Sequence, residues 1–233
     1  MFVPHASHKS WFEVCKNEAR SIVGEKVTAE YVFKEVEKDK IFYEGSDGGG
    51  VTISGGEPLS QVLFTKSILK LCKDAGINTA IETCGFASWK DVEDVMQYID
   101  IVLYDIKHMN SAKHKKLTGV PNDIILENAK KIYNDLKKNI IIRAPIMPNY
   151  NDSEENLDLM GNFVANQLGT DVEVHLLPYH NMGESKNERL EKQNKFECYP
   201  PDEKHMLRLK KIVEKHGLNV QIGGWLNIKI KEN

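Results

Sequence analysis

From residue 50 onward, six short runs rich in branched apolar residues alternate with five stretches whose apolar residues recur at helical spacing. Strict strand–helix alternation of this kind folds as a parallel sheet with right-handed crossovers, and it leaves little room for an all-helical or all-β solution. The expected strands are Gly50–Ser54, Ile77–Ile81, Ile101–Tyr104, Asn139–Ala144, Val172–Leu177 and Leu218–Ile222. Between them, Gln61–Ala75 presents Val62, Leu63, Ile68, Leu69, Leu71 and Cys72 and is closed by Gly76. Ser88 with Asp91 forms a capping box before Val92, Val95, Met96 and Ile99. Further helices are expected over Asn122–Leu136, from Asn151–Ser153 through Leu168 to Gly169, and over Pro201–His216. An additional helix, Thr28–Lys38, precedes the first strand, and Met1–Ser10 shows no pattern.

The chain has 233 residues, enough for one large α/β domain. With 31 Lys+Arg against 34 Asp+Glu the formal net charge is −3, which gives no general attraction to nucleic acid or anionic membrane. No apolar run approaches the roughly 20 residues of a membrane span, and the first residues lack the order of a signal peptide. A cytoplasmic protein is expected, acting on neither nucleic acid nor membrane. The cysteines, at positions 15, 72, 84 and 198, have no metal-loop spacing and read as separate thiols.

Parallel α/β sheets and barrels place their chemistry at the carboxyl ends of the strands. Those ends carry Ser54-Gly55-Gly56-Glu57-Pro58, Glu82-Thr83-Cys84-Gly85, Asp105-Ile106-Lys107, Arg143 and Pro178-Tyr179-His180. Gly55 and Gly56 permit close approach of backbone to a ligand. Glu57 and Asp105 suit an ammonium group, Lys107 and Arg143 a carboxylate. The rim therefore reads as a zwitterion site, suited to an amino-acid-like ligand. Two nearby carboxylates disfavour a phosphate, and Gly48–Gly50 lies on the opposite rim.

The segments GGGVTISGGEPL, AIETCGF, LYDIKHMN, HKKLTGV, ILEN, IIRAPI and LLPYHNMGESK, in this order, resemble the glycyl-radical-enzyme activating enzymes. These form the pyruvate formate-lyase activating enzyme group of the radical S-adenosylmethionine (SAM) superfamily. The resemblance runs from about Cys15 to Gly224. It implies an open, partial (β/α) barrel over residues 28–233, following an irregular segment over 1–27. It also implies SAM and a 4Fe–4S cluster as cofactors, with a flavodoxin or ferredoxin as electron donor. The partner would be a glycyl radical enzyme, one of whose glycines loses a hydrogen to a 5′-deoxyadenosyl radical. Position by position, Gly55, Gly56 and Glu57 match the segment at the methionine amino group. Asp105 and Lys107 match the DxK pair near the SAM carboxylate, Arg143 the arginine of the IR-containing strand, and His180 the SAM-contacting histidine. Glu82 stands where one branch of the family has an aspartate ligand for a monovalent cation.

The family's Cys-x3-Cys-x2-Cys loop has no match in the sequence, and Cys15 looks like the last cysteine of a ferredoxin-like insert. On this comparison the first barrel strand and the cluster loop are missing. Two readings follow: a truncated or mis-started activating enzyme, inactive alone, or a SAM- or partner-binding module without redox chemistry. The first is favoured because the break falls inside the insert rather than at a domain boundary. A third reading is a Schiff-base aldolase using Lys107 with Glu82 or Asp105. The block Gly183–Lys186 and the insert remnant lean toward diol, hydroxyproline, choline or arylacetate enzymes as partners, rather than pyruvate formate-lyase.

Overall fold

The structure is a computed structural model that describes residues 25–45, 49–180 and 198–223. Cys15, the Gly183–Lys186 block and most of the expected 1–27 segment lie outside these residues. Six strands form one parallel sheet in strictly sequential order: β1 (Gly50–Ile53), β2 (Asn78–Thr83), β3 (Ile101–Asp105), β4 (Asn139–Ile146), β5 (Glu173–Pro178) and β6 (Val220–Ile222). The helices are α1 (Ala29–Lys38), α2 (Lys40–Glu44), α3 (Val62–Asp74), α4 (Trp89–Met96), α5 (Ser111–Thr118), α6 (Asp123–Asn134), α7 (Glu154–Phe163) and α8 (Glu203–Glu214). A wider turn, Val164–Leu168, prolongs α7.

Crossovers of one hand between sequential strands put the helices on one face of the sheet. Ile81, Val102, Tyr104, Ile140, Ile142, Ala144, Val174, Leu176 and Val220 are buried there, in one core with Leu69, Val92, Ile125, Leu157 and Leu209 from the helices. A smaller core joins α1 to α3 through Ala29, Ile68 and Cys72. Among the described residues the opposite, inner face holds a small apolar cluster, Ile101, Leu103 and Ile141 with Ala80. Toward the carboxyl ends this face turns polar. The architecture is the partial barrel expected of the radical SAM type.

Caps act where the sequence places them. Thr28, Ser88, Ser153 and Asp202 each accept a backbone N–H three residues on, which satisfies donors that the first helical turn leaves open. Two boundaries differ from expectation. Strand β2 continues to Thr83, so Glu82 lies within the strand and not in the loop after it. Strand β4 continues through Pro145 and Ile146, paired with Leu177 and Pro178, so Arg143 is mid-strand. Pro145 reads as a strand breaker in sequence, yet the ladder to β5 carries past it. Helices α2 and α5 were not expected. The former has five residues, and the latter has few apolar residues to reveal its period.

Candidate functional site

The loop after β1 begins with two glycines of different kinds. Gly55 has φ +111°, in a region that side-chain-bearing residues rarely adopt. Gly56 has open space where a side chain would stand, as does Gly55. The loop thus offers bare backbone to solvent. Glu57 follows and caps the short turn Pro58–Gln61. Its Oε1 accepts from the Leu59 N–H at 3.1 Å and the Thr83 hydroxyl at 2.6 Å. Its Oε2 accepts from the Cys84 N–H at 2.9 Å and the Cys84 thiol at 3.0 Å. Burial, reinforced by Glu57, pushes the Cys84 thiol up to about 11. Beyond it, Gly85 has φ +67° and packs on Tyr104, whose hydroxyl donates to the Ile125 carbonyl at 2.6 Å.

The Arg143 guanidinium sits between two carboxylates. Its Nη1 is 2.6 Å from Glu82 Oε1, while Nε and Nη2 lie 2.9 and 2.8 Å from Asp105 Oδ1. Register sets this up: Arg143 pairs with Asp105 across β3–β4, and Glu82 with Leu103 across β2–β3. Ser54 Oγ donates to the other Glu82 oxygen at 2.6 Å. Burial opposes the charge on Glu82, but the hydrogen bonds from Arg143 and Ser54 outweigh it and hold this carboxyl below the ordinary range. Asp105 is buried more deeply. Desolvation raises it, and the attraction of Arg143 and Lys107 offsets only part of the rise.

Arg143 is ion-paired to both Glu82 and Asp105, and both Glu82 oxygens accept hydrogen bonds, one from Arg143 and the other from Ser54. Lys107 remains: among the described residues its ammonium makes no hydrogen bond or ion pair, and its charge is felt by Asp105 and Cys84. Among the described residues Asp105 Oδ1 takes the contacts from Arg143, and Oδ2 accepts no hydrogen bond. His180 lies exposed just past β5, with no such contact to the others among the described residues.

The residues that hold these loops are ones the sequence reading did not single out. Asn151 Nδ2 donates to the carbonyls of Lys107 at 2.9 Å and Pro145 at 2.6 Å, while its Oδ1 accepts from Met147 N–H at 2.7 Å. Asn122 donates to the carbonyls of His108 and Met109, and Asn156 accepts from Met109 N–H. Asn128 donates to the carbonyls of Gly85 and Ala87. All four asparagines are buried. The legible signal was a polar residue on an otherwise apolar helix face, as Asn128 stands between Ile125, Ala129 and Ile132.

The described cysteines do not converge. Cys72 is buried between α1 and α3, Cys84 is at the end of β2, and Cys198 lies near Pro148. No group of three or more His, Cys, Asp or Glu able to hold a metal occurs among the described residues. The described residues thus do not fit an iron–sulfur cluster, whereas the open glycine backbone, Asp105 and Lys107 fit the amino-acid end of SAM.

An open parallel barrel with a glycine loop after its first described strand and an Asp-x-Lys after its third defines a class. The Radical SAM superfamily profile matches residues 13–160, and the chain belongs to that superfamily. Within it, the chain belongs with the glycyl-radical-enzyme activating enzymes. It is 41% identical over 210 residues to the trans-4-hydroxy-L-proline dehydratase activating enzyme of Clostridioides difficile, covering 89% of this chain and 69% of that one. It is 43% identical over 178 residues to the choline trimethylamine-lyase activating enzyme of Oleidesulfovibrio alaskensis, covering 74% and 56%. A crystal structure of a domain of pyruvate-formate lyase-activating enzyme from Bacteroides vulgatus superposes with TM-score 0.64 and 32% identity, covering 76% of this chain and all of that one. The chain spans about two thirds of the length of the curated relatives it matches. This membership leaves the Schiff-base reading without support.

Proposed function

We propose that this chain provides the SAM-binding barrel of a glycyl-radical-enzyme activating enzyme. The observation that carries the proposal is the side-chain-free Gly55–Gly56 backbone at the carboxyl end of β1, with Asp105 at that end of β3 and Lys107, whose ammonium makes no hydrogen bond or ion pair among the described residues, just beyond it. Lys107 receives the ligand carboxylate, and Asp105 and the glycine loop receive its ammonium. Arg143 neutralises Glu82 and part of Asp105, so that the site's remaining negative charge stays near the ammonium. Gly55, Gly56 and Lys107 thus bind, Asp105 binds and orients, and His180, exposed just past β5, is assigned to the same ligand. Bound SAM would supply, once cleaved by one electron from an iron–sulfur cluster, the 5′-deoxyadenosyl radical that takes a hydrogen from a glycine of a partner enzyme, the chemistry of this family.

The partner we infer is a glycyl radical enzyme of the hydroxyproline, diol, choline or arylacetate kind, by likeness to relatives named for hydroxyproline dehydratase and choline lyase. Flavodoxin or ferredoxin would be the donor and the cytoplasm the setting. No helix among the described residues is long and apolar enough to cross a membrane. Titration calorimetry with SAM tests the site. Lys107→Ala should weaken binding on the order of 10- to 150-fold, the effect of one charge-assisted hydrogen bond. SAM binding indifferent to Lys107→Ala would remove the assignment.

A further inference from the structure

We propose that Glu57 is a positioning residue, which clamps the glycine loop to the end of β2 and does not itself meet the ligand. This inference rests on the SAM-site reading given above. A carboxylate offers about four acceptor positions on its two oxygens. At Glu57 four donors already occupy them: Leu59 N–H, Thr83 hydroxyl, Cys84 N–H and Cys84 thiol, all between 2.6 and 3.1 Å. A ligand ammonium would have to displace one of these, leaving a partly buried donor without a partner, and such a loss is unfavourable. Asp105 Oδ2 needs no such exchange.

The loop has reason to need a clamp. Gly55 and Gly56 have no neighbouring atoms where side chains would pack, and glycine loses more conformational freedom on ordering than any other residue. Order must come from the loop's ends. Ser54 Oγ fastens the entry to Glu82, and Glu57 fastens the exit to Thr83 and Cys84. Both fastenings reach consecutive residues of one neighbouring strand end. The bare backbone between them is thereby held against β2 with its outer side free. The Cys84 thiol stays a donor to this clamp because burial and Glu57 keep it protonated at ordinary pH.

A double-substitution cycle separates a clamp from a direct contact. Thr83→Val removes a donor to Glu57 together with the acceptor of the Gly85 N–H, a loss the double variant shares, and Glu57→Gln replaces one acceptor oxygen by a donor. If Glu57 works through the clamp, Glu57→Gln should weaken SAM binding roughly 10-fold or more. Thr83→Val should weaken it in the same direction, and the double variant should bind no worse than Glu57→Gln alone. Thr83→Ser, which keeps the hydroxyl, should restore the affinity of the unsubstituted chain. Thr83→Val binding with full affinity, or losses that multiply in the double variant, would overturn the proposal. Thermal unfolding without ligand gives an independent reading, because the same non-additivity should appear in Tm. If the unsubstituted chain bound no SAM, the function reading would fail while the Tm cycle still judged the clamp. If Glu57→Gln did not fold, the contrast between Thr83→Val and Thr83→Ser would decide.

Discussion

At the scale of single residues, the site is governed by which charges are already engaged. Arg143 and Lys107 carry the same charge, yet one is bound by two carboxylates and the other makes no ion pair among the described residues. Sequence shows the residue types but not this division, because the division depends on register: Arg143 opposes Asp105 only through the β3–β4 pairing. Glu57 illustrates the same limit, three of its four donors coming from a strand end 26 and 27 residues away. Cys84 gives a direct test of that environment. With its thiol pushed up to about 11, first by burial and then by Glu57, its thiolate fraction at pH 8 should be about 100-fold below that of an unperturbed cysteine. Iodoacetamide labelling followed by peptide mass spectrometry should show slow modification at Cys84, and faster modification after Glu57→Gln. The sign for stability follows. The folded value lies above the ordinary 9.0, so the protonated thiol's contribution is complete below pH 9 and is lost as pH rises through about 11. Labelling of Cys84 at the rate of a free thiol would contradict the described geometry.

At the scale of elements, the strands and the long helices were legible because each buries a regular apolar face. Helix α5 was not legible. Its eight residues, SAKHKKLT, hold little apolar surface, and it exists through its ends. Asn110 caps its start, Gly119 in a left-handed conformation closes it, and buried His114 anchors it. The loop between β3 and α5 was similarly opaque, since its carbonyls are satisfied by asparagines from distant segments. Asn151 is the strongest of these links. Asn151→Ala leaves the Lys107 and Pro145 carbonyls and the Met147 N–H without their partner, and should cost about 2–3 kcal/mol. Urea unfolding measures this. A loss below about 0.5 kcal/mol would show that water replaces the amide at no cost. Because one of the freed groups belongs to Lys107, SAM affinity should fall together with stability.

At the scale of the whole molecule, the two faces of the sheet divide the labour. One face is apolar and covered by helices; the other is apolar only at its base and polar above. The cysteines follow neither division, since those described lie in three separate places. Anaerobic treatment of the 233-residue chain with iron and sulfide should therefore leave it well short of one 4Fe–4S cluster per chain, as judged by iron content and EPR. A stoichiometric cluster that changes its EPR signal on adding SAM would overturn that expectation. The strand order carries a different kind of consequence. Since the order is β1 to β6 without interruption, none of the described strands waits for a later one to be inserted between it and its neighbour. Contacts across the sheet therefore join segments close in sequence, which favours fast closure. Each strand–helix unit can dock on the one before it as the chain leaves the ribosome, so the sheet grows at one edge in the direction of synthesis.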